Sequence, residues 1–241
     1  MKLSTIFIIA TAVVSLGMLT AYNVSLKASY QKGGYKDRFN EMEFSSVKGL
    51  TAVQINAANK FAINIEKGEK EGLWIRDRLK GFVKVSQVGA TLTIDLTDEG
   101  KKRNLNRNED DMILFSNTLS AISTAPYFTE EENEGGWHHD SGDIRIKGLK
   151  VDALNLLIGK FTSIYMNHVK TGTLKATVGE IGTGEAGLTV DSANEIAFAD
   201  LSVPGKSKIS LLNPKIVKTR YNLSDSATVT LNGTALEGMK K

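Results

Sequence analysis

The chain has 241 residues, 41% hydrophobic and 24% charged, a composition that excludes wholesale disorder and a polytopic membrane protein. Lys and Arg total 30 against 27 Asp and Glu, and a formal charge of +3 is too thin for the concentrated basic face that nucleic acid requires. With no cysteine there are no disulfides, no thiolate metal site, no cysteine nucleophile and no lipid-modified N-terminal cysteine.

No residue between Lys2 and Lys27 is charged, and the centre of this run, Ile6 to Leu16, is strongly apolar. As a helix the 24 residues from Leu3 to Leu26 span roughly 36 Å, enough to cross a ~30 Å hydrocarbon core. Small-residue cleavage sites are poor, because Leu19 precedes Ala21 and Leu26 precedes Ala28 at the critical spacing. Residues 1–26 therefore read as a signal peptide or signal anchor, with the uncleaved anchor preferred. Lys27, Lys32, Lys36 and Arg38 follow the run and by themselves would hold that side in the cytoplasm, but long domains translocate largely regardless of charge. The expected location is the periplasmic side of the cell envelope, with residues 3–26 in the inner membrane, or outside the cell if the segment is cleaved.

Residues 27–44 are polar, carry both charge signs and contain Gly33-Gly34, and read as a membrane-proximal linker. Strand-like runs with alternating apolar residues follow at Leu50–Ile55, Phe61–Ile65, Leu73–Ile75, Phe82–Val85 and Thr91–Leu96, the last two joined by a hairpin at 87–90. Residues 98–111 hold four basic and five acidic residues and read as a loop. A strand resumes at Met112–Phe115, before Leu119 and Ile122. A second polar loop, 129–143, holds six acidic residues, no Lys or Arg, and Trp137 beside His138 and His139.

Beyond residue 150, apolar triplets on alternating positions recur about every ten residues: Leu154–Ile158, Ile164–Met166, Leu174–Val178, Leu188–Val190, Ile196–Phe198, Ile209–Leu211, Ile216–Val217 and Thr228–Leu231. A short fixed period of strand plus turn is the signature of a stacked repeat. Two strands per coil give coils of roughly twenty residues, as in a parallel β-helix. An antiparallel sandwich shows similar spacing but favours two-residue hairpins, and only Asn232-Gly233 offers one. The expected fold class is all-β: a single-domain parallel β-helix-like solenoid over residues 45–241, preceded by an N-terminal hydrophobic helix.

The run Phe44 to Ile55, followed by Phe61–Gly68, Val83–Val85 with Thr91–Ile94, and Ile113–Phe115 with Leu119–Ile122, resembles the head GIN domain of Bacteroidetes-type envelopes, a family labelled as auto-transporter adhesins. The similarity covers roughly residues 44 to 235. It implies a β-solenoid and an adhesin role, and brings no catalytic residues. Two features depart from the family pattern: the Gly-Ser-rich repeats are diluted, and the acidic insertion 129–143 is extra.

His138, His139, Asp140 and Glu134 are weak candidates for a divalent metal, since adjacent histidines in an extended chain point to opposite sides. A solvated acidic loop is the reading preferred, with Trp137 a contact residue. No metal, cofactor-binding or catalytic residue is assigned. There is no calcium-loop repeat, no Gly-x-Ser-x-Gly elbow and no Gly-rich loop leading into a helix. The lysines spaced through the repeats, among them Lys160, Lys170, Lys175, Lys206, Lys208, Lys215 and Lys218, read as solvation of an outer face, with a cationic patch for acidic glycans as the functional alternative. The expectation is a non-enzymatic envelope protein, an adhesin or binding scaffold for a glycan or an envelope protein. A polysaccharide-active enzyme on a β-helix is the alternative.

Overall fold

A computed structural model describes residues 2–32, 37–103, 105, 110–129, 141–182 and 185–237. The chain divides into two units, Met1–Met42 and Glu43–Lys241. The charge-free run forms helix α1 (Leu3–Lys32), which continues past Leu26, so residues 27–32 of the expected linker are helical. Its stretch Leu3–Gln31 is long and apolar enough to cross a bilayer, which suggests a signal or membrane anchor.

The second unit is mostly β. Among the described residues it forms two mixed sheets and no closed barrel. The nine-stranded sheet runs in the order β1 (Met42–Ser45), β4 (Gly72–Arg76), β7 (Met112–Phe115), β3 (Ala62–Glu66), β9 (Gly142–Lys147), β11 (Thr162–Asn167), β13 (Gly187–Val190), β15 (Lys208–Leu212) and β17 (Thr228–Asn232). The eight-stranded sheet runs β16 (Lys215–Leu223), β14 (Glu195–Val203), β12 (Lys170–Val178), β10 (Lys150–Ile158), β8 (Ala121–Ala125), β2 (Ala52–Asn56), β6 (Thr91–Leu96) and β5 (Val83–Val88). From β9 onward successive strands alternate between the sheets, and neighbours within each sheet are parallel. The antiparallel pairs are β4 with β7 and the expected hairpin β5–β6.

Parallel register places equivalent residues over one another. Leu156 lies opposite Ala176 and Ile122, and Ile164 opposite Ile144 and Leu188. These inward positions are fully or almost fully buried, as are Leu154, Ile158, Leu174, Val178, Val190 and Ile209. Each such side chain contributes about 1.5–3 kcal/mol by leaving water.

Phe198, expected in the core, is not among the buried residues. Ile196 is buried as expected, but Ala199 takes the inward place of Phe198, because Ala197 drops out of the ladder and shifts inward parity by one residue. The same step recurs at Asp152, Gly172 and Val217 in the other three long strands.

The corners follow the same logic. Chain leaving the nine-stranded sheet turns through one left-handed residue at Gly148, His168 and Asn213. Between β13 and β14 the corner holds one residue more, and there Asn194 is buried and does the work of a turn. Its Oδ1 accepts from Val169 N at 2.9 Å, while Nδ2 donates to Met166 O at 2.8 Å and Asp191 O at 2.9 Å. At the opposite corners backbones pass so closely that a Cβ on Gly142 would lie 1.9 Å from Ala58 O.

The polar stretch 98–111 is only partly the expected loop. Thr97 caps a one-turn helix, α2 (Asp98–Lys101), by accepting from Gly100 N at 3.1 Å. Asp111 is buried, accepts from Ala62 N at 3.3 Å and pairs with Arg78. That pair ties the 3-10 turn Asp77–Leu79 to the nine-stranded sheet.

Two adjacent leucines test the inward parity. Leu156→Ala should cost about 2–5 kcal/mol in chemical denaturation, whereas Leu157→Ala, on the outward face, should stay within about 0.5 kcal/mol.

Candidate functional site

The outer face of the eight-stranded sheet is an exposed surface that the register organises. Across its middle one row of outward residues runs Ala52, Ala121, Asn155, Lys175, and the next runs Gln54, Ser123, Leu157, Thr177. Small residues at 52, 121 and 123 leave a shallow depression of about 370 Å³. Leu157 sits in it with 54% of its surface exposed, a large apolar group with no core role. Extended backbone with alternate residues outward puts these polar groups on one plane, in reach of a single ligand.

Beside this depression, along the first residues of β10, β12, β14 and β16, lies an open groove of about 590 Å³. One column in it is a charge ladder, with Lys150 opposite Lys170, Lys170 opposite Glu195, and Glu195 opposite Lys215. A second column is formed by the four residues that leave the ladder, Asp152, Gly172, Ala197 and Val217. A Cβ on Gly172 would meet Asp152 O at 2.8 Å, so the small residue there keeps neighbouring strands in register as well as the groove open.

The electrostatics are those of surface ion pairs. Lys170 Nζ lies 2.9 Å from Glu195 Oε2, and Lys215 Nζ lies 3.9 Å from Oε1. The Lys170 hydrogen bond, then its charge, then those of Lys215 and Lys150, hold the Glu195 carboxyl below its ordinary range. In the row of Asn155 and Lys175, Arg220 Nε donates to Asp200 Oδ1 at 2.9 Å and its Nη2 pairs with Oδ2. That hydrogen bond lowers the Asp200 carboxyl too, against the opposing effect of burial and with help from the charges of Arg220 and Lys175. Both carboxylates are thus pushed away from neutrality rather than toward it. They are fixed charges, not groups poised to exchange protons near pH 7. What the face can do is hydrogen-bond and ion-pair with an extended ligand.

Trp137, His138, His139, Asp140 and Glu134 lie outside the described residues. The stem of their insertion is pinned: Tyr127 N donates to Asn59 Oδ1 at 2.8 Å, Asn59 Nδ2 donates to Tyr127 O at 3.0 Å, and Phe128 meets Phe161 edge-on at 5.2 Å. His168 is exposed at its left-handed corner beside Asn167. Among the described residues no three His, Asp or Glu side chains come together to hold a metal ion. The residues that do come together, Asn155, Leu157, Lys150 and Asp152, were not singled out in the sequence. The repeat of Lys150 at Lys170, twenty residues on, was the available signal.

No protein-family model matches the chain, so the head GIN assignment is not confirmed, and no curated protein matches it. Solved structures match the chain at low identity and low TM-score. A candidate adhesin from Bacteroides fragilis is 16% identical with a TM-score of 0.42, over 79% of this chain and 96% of its own. A candidate lipid-binding protein from Parabacteroides distasonis is 15% identical with a TM-score of 0.35, over 78% and 96%. A candidate adhesin from Parabacteroides merdae is 11% identical with a TM-score of 0.31, over 80% and 95%.

Carboxyl NMR should find Glu195 titrating below the ordinary glutamate range. Lys170→Ala should move it back up. A Glu195 titration unaffected by that change would mean the ladder does not form.

Proposed function

We propose that the chain is a non-enzymatic cell-envelope protein, an adhesin or binding scaffold whose residues 45–241 form a parallel β-helix-like solenoid. The observation that carries this reading is the outer face of the eight-stranded sheet. There the Ser123, Asn155 and Thr177 side chains make no hydrogen bond to any described residue, and they flank an exposed Leu157. Free donors and acceptors around one apolar group, on a rigid plane, make a binding platform. The strand alternation and parallel pairing support the solenoid, and the register keeps the platform flat.

Residues 1–26 serve as the anchor in the inner membrane and 27–44 as the connection, which presents the binding domain on the periplasmic side. A glycan or another envelope component is the partner class, and nucleic acid is not. An enzyme would need acids and bases converging in a walled site, whereas the groove of this face is open and its Glu195 is paired with Lys170 and Lys215.

The protein should sediment with membranes and resist extraction by high salt. Soluble mature protein beginning near Tyr22 or Ser29 would mean a cleaved signal peptide and a secreted protein. A glycan array combined with product analysis on the same polysaccharides tests the role. Binding without cleavage is expected, weakened when Asn155 and Leu157 are both changed to Ala. Cleavage products would replace this reading with the enzyme alternative.

A further inference from the structure

The four long strands β10, β12, β14 and β16 carry six basic side chains (Lys150, Lys170, Lys175, Lys215, Lys218 and Arg220) against three acidic ones (Asp152, Glu195 and Asp200). The whole chain, by comparison, has 30 against 27. An excess that is slight overall is therefore reached within 36 residues on one face of one sheet. Within the groove, Lys150 and Lys170 stand directly opposite each other in the ladder. Like charges in that position repel, and the protein places no carboxylate between them. Glu195 serves Lys170 and Lys215, and among the described residues Lys150 makes no ion pair, Asp152 being the groove's other carboxylate.

Resting on the binding role proposed above, we infer that this groove takes a linear polysaccharide bearing carboxylates, laid across β10, β12, β14 and β16. The shape suits a chain better than a plane, because Gly172 and Ala197 line the groove between flanking charged and branched side chains. Strands in a sheet lie about 4.8 Å apart, close to the length of one sugar ring in an extended polymer. Ring carboxylates can therefore meet the ammonium groups on β10, β12 and β16 at intervals set by the sheet, with Glu195 on β14 as the one opposing charge of the column. Lys150 and Lys170 stand one strand spacing apart, about 4.8 Å, inside the ~8 Å Debye length at physiological salt, and Lys215 follows two spacings further on. The neutral depression next to the groove, with Asn155, Ser123 and Thr177, supplies hydrogen bonds for ring hydroxyls of the same ligand.

The test uses the full chain in mild detergent, titrated calorimetrically with polygalacturonate and with its fully methyl-esterified form, which has the same backbone and no charge. Polygalacturonate should bind and the ester should bind far more weakly. The difference should vanish as salt rises from about 0.01 M to about 1 M, where the screening length falls from roughly 30 Å to roughly 3 Å. Lys150→Ala with Lys170→Ala should weaken polygalacturonate binding about tenfold through the loss of two charge-assisted contacts. Glu195→Gln should strengthen it several-fold, because a competing carboxylate is gone. Lys208→Ala, which removes one lysine charge from β15 of the other sheet, should leave it unchanged. Unaltered thermal unfolding in each variant shows that the exposed substitutions have not disturbed the fold. Equal binding of the two polymers would overturn the acidic-glycan inference and leave the binding scaffold standing. Polygalacturonate binding that weakens as much in Lys208→Ala as in the double variant would overturn the groove as its site. No binding of polygalacturonate would overturn the inference outright, and the array on neutral glycans then decides the broader reading separately.

Discussion

In-register parallel stacking governs the rest of this structure. Once Leu154, Leu156 and Ile158 of β10 face inward, Leu174, Ala176 and Val178 of β12 must do the same, because their backbones pair residue for residue. A slip of one position would turn every one of them to solvent. The same pairing acts on the outward side, where it turns isolated surface residues into ladders. Lys150, Lys170, Glu195 and Lys215 are far apart in the chain and form one column only because the hydrophobic register on the other face holds them there. Core packing and surface chemistry are therefore one constraint seen from two sides.

A parallel stack must also stop. The last strand of the eight-stranded sheet, β16, leaves one edge without a strand neighbour and carries Lys215, Lys218 and Arg220, charges that discourage further strand addition. The short helix α3 (Thr234–Glu237) packs on β16 and β17, and Ile216, Tyr221, Leu231 and Ala235 close the end of the core. Burial there pushes the Tyr221 phenol above its ordinary value. Lys215, one of the basic residues that protect the edge, also lines the groove, so that side chain serves both solubility and recognition.

The strands were legible in the sequence wherever apolar residues alternated over three or more positions, and Met112–Phe115 and Thr91–Leu96 match to the residue. β9 was missed because its core pair, Ile144 and Ile146, directly follows the acidic insertion and is interleaved with Asp143, Arg145 and Lys147. The first four residues of β10 and β12, and the parts of β14 after Phe198 and of β16 after Val217, lie outside the expected runs for a related reason. The step at Asp152, Gly172, Ala197 and Val217 breaks the alternation, and Phe198 was assigned to the wrong side in consequence. The groove is built on those broken positions. Pattern reading finds regular elements, and here the candidate site occupies the irregular part of the strands, where only the three-dimensional register shows which residues are neighbours.

The absence of cysteine from the chain permits a direct test of that register. Cysteines introduced at Asn155 and Lys175, partners on β10 and β12, would stand about 4.8 Å apart, inside the ~4.4–6.8 Å window for a disulfide. Under mild oxidation this pair should cross-link rapidly within one chain. Cysteines at Asn155 and Tyr165, which would be partners if β10 and β11 formed an antiparallel hairpin, should not cross-link, because the two strands belong to different sheets. Cross-linking of the second pair and not the first would contradict the parallel stack, and with it the ladder and the groove.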